Sequence, residues 1–201
     1  MHHPELVIDD KAYVELRDEC EVIFDTHQRL PQQVFRRKFE EYYVFEHGMI
    51  LHPNFPSFLE RVAHQFGDSI VNYITFEPSS KDYYHKNFGF YGLASFEIGA
   101  LKYNYRDVML RGNNADSFFA RGGDVGAFWG SSLSWGIFCD RINWETCLMG
   151  CSMKIDNSTT STVGVMDMTQ FGNYLANQYQ HRPMVATNFS AEFKKNYLDF
   201  Q

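Results

Sequence analysis

Serine, cysteine, histidine and acidic side chains are what a catalytic or ligand-binding site would be built from, and their spacing in this chain forms no recognisable catalytic motif. Ser132-Leu-Ser-Trp-Gly136 has the outline of a nucleophile elbow, which needs glycine at both ends and a strand–turn–helix bend. Its first position is Ser132 and the following residues alternate as a strand, so a turn feeding a strand is the better reading. The histidines at 27, 47, 52, 64, 85 and 181 are scattered singly. Glu46-His47 and His52 lack the His-Glu-x-x-His spacing that sets two metal ligands on one helical face. Cys147 would pair with His85 or His64 only if the fold brought them together, and a cysteine in a packed strand is usually inert. Gly122-Gly-Asp-Val-Gly126 is followed by neither Lys-Ser/Thr nor a helix, so it is no phosphate loop. No cofactor and no metal is expected.

Asp140-Arg141 and Glu145 are the polar group of greatest interest, because they lie at the tip of a hydrophobic hairpin. One account is that Asp140 fixes the turn and Arg141 pairs with a neighbouring acid, since polar turn residues commonly serve the backbone. The functional account is a partner-facing edge.

Composition bounds both accounts. The 201 residues suit one domain, and 44 % hydrophobic content is enough for a sizeable core without disulfides or metal. With 19 Phe, 12 Tyr and 3 Trp, the chain favours pleated, half-buried surfaces. The formal charge of −7 and the lack of a basic run argue against binding nucleic acid or an anionic membrane surface. Residues 1–50 hold 11 acids against 6 bases, so the acidic end suits a basic partner. No secretory apolar region follows Met1 and no stretch is long enough to span a bilayer. Four cysteines without a CxxC pair then read as reduced thiols of a cytoplasmic protein.

The elements that would position these residues make an α+β domain: N-terminal helices packed on an aromatic-rich, mostly antiparallel sheet, followed by C-terminal helices. A helical part is expected over about 10–67, a sheet-rich part over 69–155 and a second helical part over 166–199. Tyr13, Leu16, Cys20, Ile23 and Phe24 predict a helix over 10–29. Val34, Phe35, Phe39, Tyr42 and Tyr43 predict another over 32–47, although Tyr42–Phe45 suits an extended chain equally. Phe55, Phe58, Leu59, Val62, Ala63 and Phe66 predict a third, stopped by Gly67. Strands are expected over 69–77, 88–96, 125–129, 134–139 and 144–150, with Cys139 opposite Trp144 and Trp135 opposite Leu148. Residues 99–126 are weakly patterned, with turn clusters at 111–114 and 121–124 and a short helix near 115–120. Residues 155–164 read as a loop, and 166–179 and 190–199 as helices, the last capped by Ser190.

The stretch Phe128-Trp-Gly-Ser-Ser-Leu-Ser-Trp135-Gly-Ile-Phe-Cys-Asp140-Arg141-Ile-Asn-Trp144-Glu145-Thr-Cys-Leu-Met resembles bacterial immunity-like proteins of polymorphic or contact-dependent toxin systems. Those often carry a Trp-x-Ile-x-x-Asp/Glu-Arg-x-x-Glu-x-Ala signature after a small-residue turn. Tyr83-Tyr-His-Lys-Asn-Phe-Gly-Phe-Tyr-Gly92 is similar to an aromatic stretch upstream in such proteins. Cys147 departs from the pattern, standing where a small residue is usual. The resemblance implies a non-enzymatic protein that neutralises a cognate toxin by stoichiometric binding, an acidic face docking on a basic one. It points to Asp140, Arg141 and Glu145 as partner-binding residues. The N-terminal acids Asp9, Asp10, Glu15, Asp18 and Glu19 form a second candidate surface. Two other readings stay open: a small hydrolase or transferase, marked by a concave pocket with convergent polar groups, and an accessory protein that assembles through exposed aromatic surface.

Overall fold

Both strands of the hairpin are buried at every position and polar only at the tip, at Asp140 and Thr146, and a strand of that kind must be covered on two sides. In the computed structural model, which describes residues 5–110, 123–166 and 168–197, this is how the chain is arranged. Six strands form one sheet: β1 (Glu41–Glu46), β2 (Ile70–Glu77), β3 (Leu93–Glu97), β4 (Val125–Gly130), β5 (Trp135–Asp140) and β6 (Thr146–Cys151). Their order is β1-β6-β5-β4-β2-β3 and every neighbouring pair is antiparallel. Helices cover both faces, giving the expected α+β fold.

One face packs on α2 (Phe55–Phe66) and α3 (Ile98–Leu110). Phe55, Phe58, Leu59, Leu101, Tyr105 and Met109 meet Tyr73, Phe128, Trp135 and Ile137 there. The other face packs on α1 (Asp10–Ile23), α4 (Met168–Gln178) and α5 (Pro183–Tyr197), through Cys20, Ile23, Phe171, Leu175, Phe189 and Phe193 against Trp129, Phe138 and Leu148. Short pieces of chain cover the sheet edges. Val7 N–H donates to Leu93 O and Ser95 N–H to Glu5 O beside β3, and Met166 N–H donates to Val44 O beside β1. Covering an edge in this way removes a template for pairing with other chains.

Local chemistry explains where the helices begin and stop. Asp9 caps α1, its Oδ1 accepting from Ala12 N–H at 2.9 Å. The helix is shorter than the expected 10–29, because Phe24 turns extended and bridges Phe35. Gly67, left-handed at φ 71°, ends α2 as expected.

The helix expected over 32–47 does not form. Val34 N–H donates to the Tyr197 hydroxyl (2.9 Å) and Phe39 N–H to the Tyr42 hydroxyl (3.0 Å). Side chains thus satisfy the backbone donors that a helix would have used. The segment runs irregularly, buries Val34, Phe35 and Phe39, and enters β1 at Glu41.

Further differences lie around the aromatic loop, the hairpin and the C-terminal region. The polar, aromatic loop read at 81–87 is helical over Ser80–Phe88, and the strand expected from Phe88 begins only at Leu93. α3 occupies residues that read as weakly patterned. Its buried face, Ile98, Leu101, Tyr105, Val108 and Met109, is interrupted by Gly99 and the exposed Tyr103. In the hairpin the register is displaced: Cys139 faces Cys147, Trp135 faces Cys151 and Phe138 faces Leu148. Trp144 belongs to a helical turn, Arg141–Trp144, and is not in a strand. The loop-like 155–164 contains a helical turn at Asn157–Thr160, and α5 begins at Pro183, leaving Ser190 inside it. The short helix expected near 115–120 and the cluster at 111–114 lie outside the described residues.

Candidate functional site

The turn that follows β5 rests on Asp140. Its Oδ1 accepts from Asn143 N–H at 3.0 Å and from Asn143 Nδ2 at 3.1 Å, which closes the turn Arg141–Trp144. The carboxylate is fully buried, and burial raises its pKa against the opposing Asn143 hydrogen bonds. Asp140 therefore holds the backbone and cannot offer its side chain to a partner, a correction to its place among contact residues. Arg141 is exposed, pairs with Asp124 at 3.7 Å, and donates its N–H to the Asp124 carbonyl at 2.8 Å. Trp144 anchors the turn from below: Nε1 donates to Leu30 O at 2.9 Å and the ring lies 3.9 Å from that of Phe189.

Glu145 closes the turn in the left-handed region, at φ 48°. Its carbonyl accepts from His47 N–H at 2.8 Å, which ties the hairpin tip to the end of β1. A groove of about 450 Å³ opens between them, lined by Glu46, His47, Gly48 and Leu51, by Arg141 and Glu145, and by Tyr174 and Gln178 of α4. Two of the three residues expected at the tip thus share one concavity, joined by four polar residues from two distant segments.

The electrostatics of the groove centre on His47. Its side chain is 5 % exposed, and burial, reinforced by the Arg141 charge, lowers its pKa to about 4. The ring is neutral at pH 7, and no hydrogen bond from a described residue reaches it. The half-buried Tyr174 has its pKa raised by burial and then by the carboxylate of Glu46, with Glu145 adding to this and the Gln178 hydrogen bond opposing it. Both carboxylates therefore act on the same phenol. Among the described residues no three His, Cys, Asp or Glu side chains group closely enough to hold a metal ion.

The N-terminal acids lie elsewhere. Asp9 is committed to capping α1. Asp10 accepts from the Tyr91 hydroxyl at 2.7 Å, a bond that helps push the Tyr91 pKa up to about 12. These two stand beside the β3 edge, with the whole sheet between them and β1. Glu15 pairs with Lys11 at 3.7 Å in solvent, while Asp18 and Glu19 lie on α1 with Asp18 exposed. No described groove collects these five acids with Arg141 and Glu145.

The nucleophilic alternatives do not assemble. All four cysteines are buried and unbridged, and burial pushes the Cys147 thiol well up. His85 stacks on Tyr91 at 4.2 Å, beside β3, and His64 is exposed on α2. The Ser132–Gly136 segment is a turn entering a strand: Asp68 binds the Ser132 N–H and accepts from Trp135 Nε1 at 2.7 Å. The chain matches no family model, no curated protein and no solved structure.

Glu46, His47, Tyr174 and Gln178 are the site residues that motif reasoning passes over. Glu46-His47 fails the metal spacing, and nothing local joins it to α4. The available signal was the extended reading of Tyr42–Phe45, which sets Glu46-His47 at a strand end.

Proposed function

We propose that the protein is a non-enzymatic binding protein that neutralises a bacterial toxin stoichiometrically, in the manner of immunity proteins, within the cytoplasm. One observation carries the reading: Arg141 and Glu145, to which the immunity-like resemblance points, line a groove whose lining includes two carboxylates, Glu46 and Glu145. In an acidic protein such a groove suits a basic partner surface, and complementary charge accelerates encounter. The direct test is co-purification with the toxin encoded immediately upstream, paired with rescue from growth arrest. A one-to-one complex that the Glu46→Gln/Glu145→Gln variant weakens is expected. Absence of both the complex and the rescue would overturn the reading.

His47 supports a second reading, a small enzyme, since it places a neutral imidazole in a groove, although a pKa near 4 makes it a weak general base. The described groove lining holds no serine, threonine or cysteine, so such an enzyme would use a glutamate or tyrosine nucleophile or water activated by His47. Turnover of ester or amide substrates that His47→Gln abolishes would establish that reading in place of the first.

A further inference from the structure

The His47 imidazole is nearly enclosed, no described residue bonds to its ring, and its nitrogens are not among the sealed atoms left without a partner. They open instead onto the groove that His47 lines, where a ligand group can reach them. The adjacent groups show which chemistry would suit it. Glu46 and Glu145 contribute two carboxylates, Gln178 an amide, and Tyr174 an aromatic ring. The one cation in the lining, Arg141, pairs with Asp124 at 3.7 Å while its charge still acts on His47, and it stands against two carboxylates in the lining. Negative charge is therefore in excess, and a neutral imidazole adds an acceptor without adding repulsion.

We propose that this groove receives an arginine side chain of the partner protein, its guanidinium held between Glu46 and Glu145 and donating to His47. The assignment rests on the binding role proposed above and names the group that the groove takes. Arginine is favoured over lysine by the shape of the donor set. A guanidinium spreads five N–H groups in a plane, enough to serve two carboxylates and a ring nitrogen together, and its face stacks on tyrosine. An ammonium is a point charge with a strongly held hydration shell, which a partly enclosed groove would have to remove.

The test needs no partner. Blocked arginine (N-acetyl-arginine methylamide) is titrated into the purified protein at pH 7 and low salt, following the His47 imidazole and the Tyr174 and Gln178 amides by NMR. Blocked lysine and blocked glutamate serve as comparisons. Saturable shifts confined to the groove are expected with arginine, weaker ones with lysine and none with glutamate. Glu46→Gln/Glu145→Gln, two exposed sites whose replacement leaves the fold intact, should abolish saturation. His47→Phe should weaken arginine binding by about tenfold, the loss of one charge-assisted hydrogen bond. Equal shifts with arginine and glutamate, tighter binding of lysine, or saturation unchanged in the double variant would each overturn the assignment. Arginine binding without a toxin complex would instead refute the partner role and leave the groove chemistry standing.

Discussion

The backbone N–H of His47 donates to the carbonyl of Glu145 at 2.8 Å, one rung beyond the last register pair of β1 and β6, Glu46 opposite Thr146. The groove walls are thus an extension of the sheet ladder. Side chains set on rigid strand ends hold their mutual geometry better than side chains on free loops. The bond also accounts for the backbone of Glu145, whose left-handed conformation ends the helical turn and leads directly into β6.

A non-glycine residue at φ 48° is held there at a cost. Glu145→Gly is expected to raise stability by up to about 1 kcal/mol, read as a higher urea midpoint at unchanged slope. The same variant should lose partner affinity, since it removes a groove carboxylate. A variant that is less stable than wild type would show that the Glu145 side chain contributes to the fold itself.

His47 imposes a pH dependence of definite sign. The unfolded chain takes up its proton near 6.5, whereas folded His47 takes it up only near pH 4. Between these values the unfolded state binds more protons, so stability falls as pH drops through that window. The shift corresponds to a loss on the order of 3 kcal/mol. His47→Gln should remove this component, so the stability difference between wild type and variant changes by that amount from pH 7 to pH 4. Parallel curves in urea titrations at pH 7, 5.5 and 4 would show that His47 is protonated equally in both states.

Much of this architecture was legible where its cause is local. Phe55 to Phe66 form a stripe with Gly67 at its end, and Pro78 follows β2, so both elements appear close to where they were read. Elements with remote causes were not. The irregular path over 24–40 depends on the Tyr197 hydroxyl reaching Val34 from the other end of the chain. The register of the hairpin depends on Trp144 leaving the strand to bond Leu30 and pack on Phe189. Most of the candidate site fared likewise. Arg141 and Glu145 stand out as polar residues in an apolar hairpin, but His47 gains significance only when α4 brings Tyr174 and Gln178 beside it.

Asp68 organises the β4–β5 turn by accepting from Trp135 Nε1, the Ser132 N–H and the Ser131 hydroxyl. Gly130 is required next to it, since a Cβ there would lie 2.2 Å from Asp68 Oδ2. Asp68→Ala leaves a buried indole N–H without a partner and should cost about 2–4 kcal/mol. Combined with Trp135→Phe the losses should be less than additive, with a coupling of about 0.5–3 kcal/mol. Full additivity in equilibrium urea unfolding would mean that the two side chains act independently.

The two acidic surfaces predict different kinetic signatures with a basic partner. Glu15, Asp18 and Glu19 lie on α1 away from the groove, where they steer diffusion without forming desolvated contacts. Neutralising them together should lower the association rate and flatten its salt dependence while leaving dissociation nearly unchanged. Glu46→Gln/Glu145→Gln acts on the partly enclosed groove, and loss of a contact there should appear mainly as faster dissociation. Surface plasmon resonance with the toxin partner proposed above, at two ionic strengths, separates the cases. Faster dissociation from the α1 variant with an unaffected groove variant would move the docking site to the N-terminal helix.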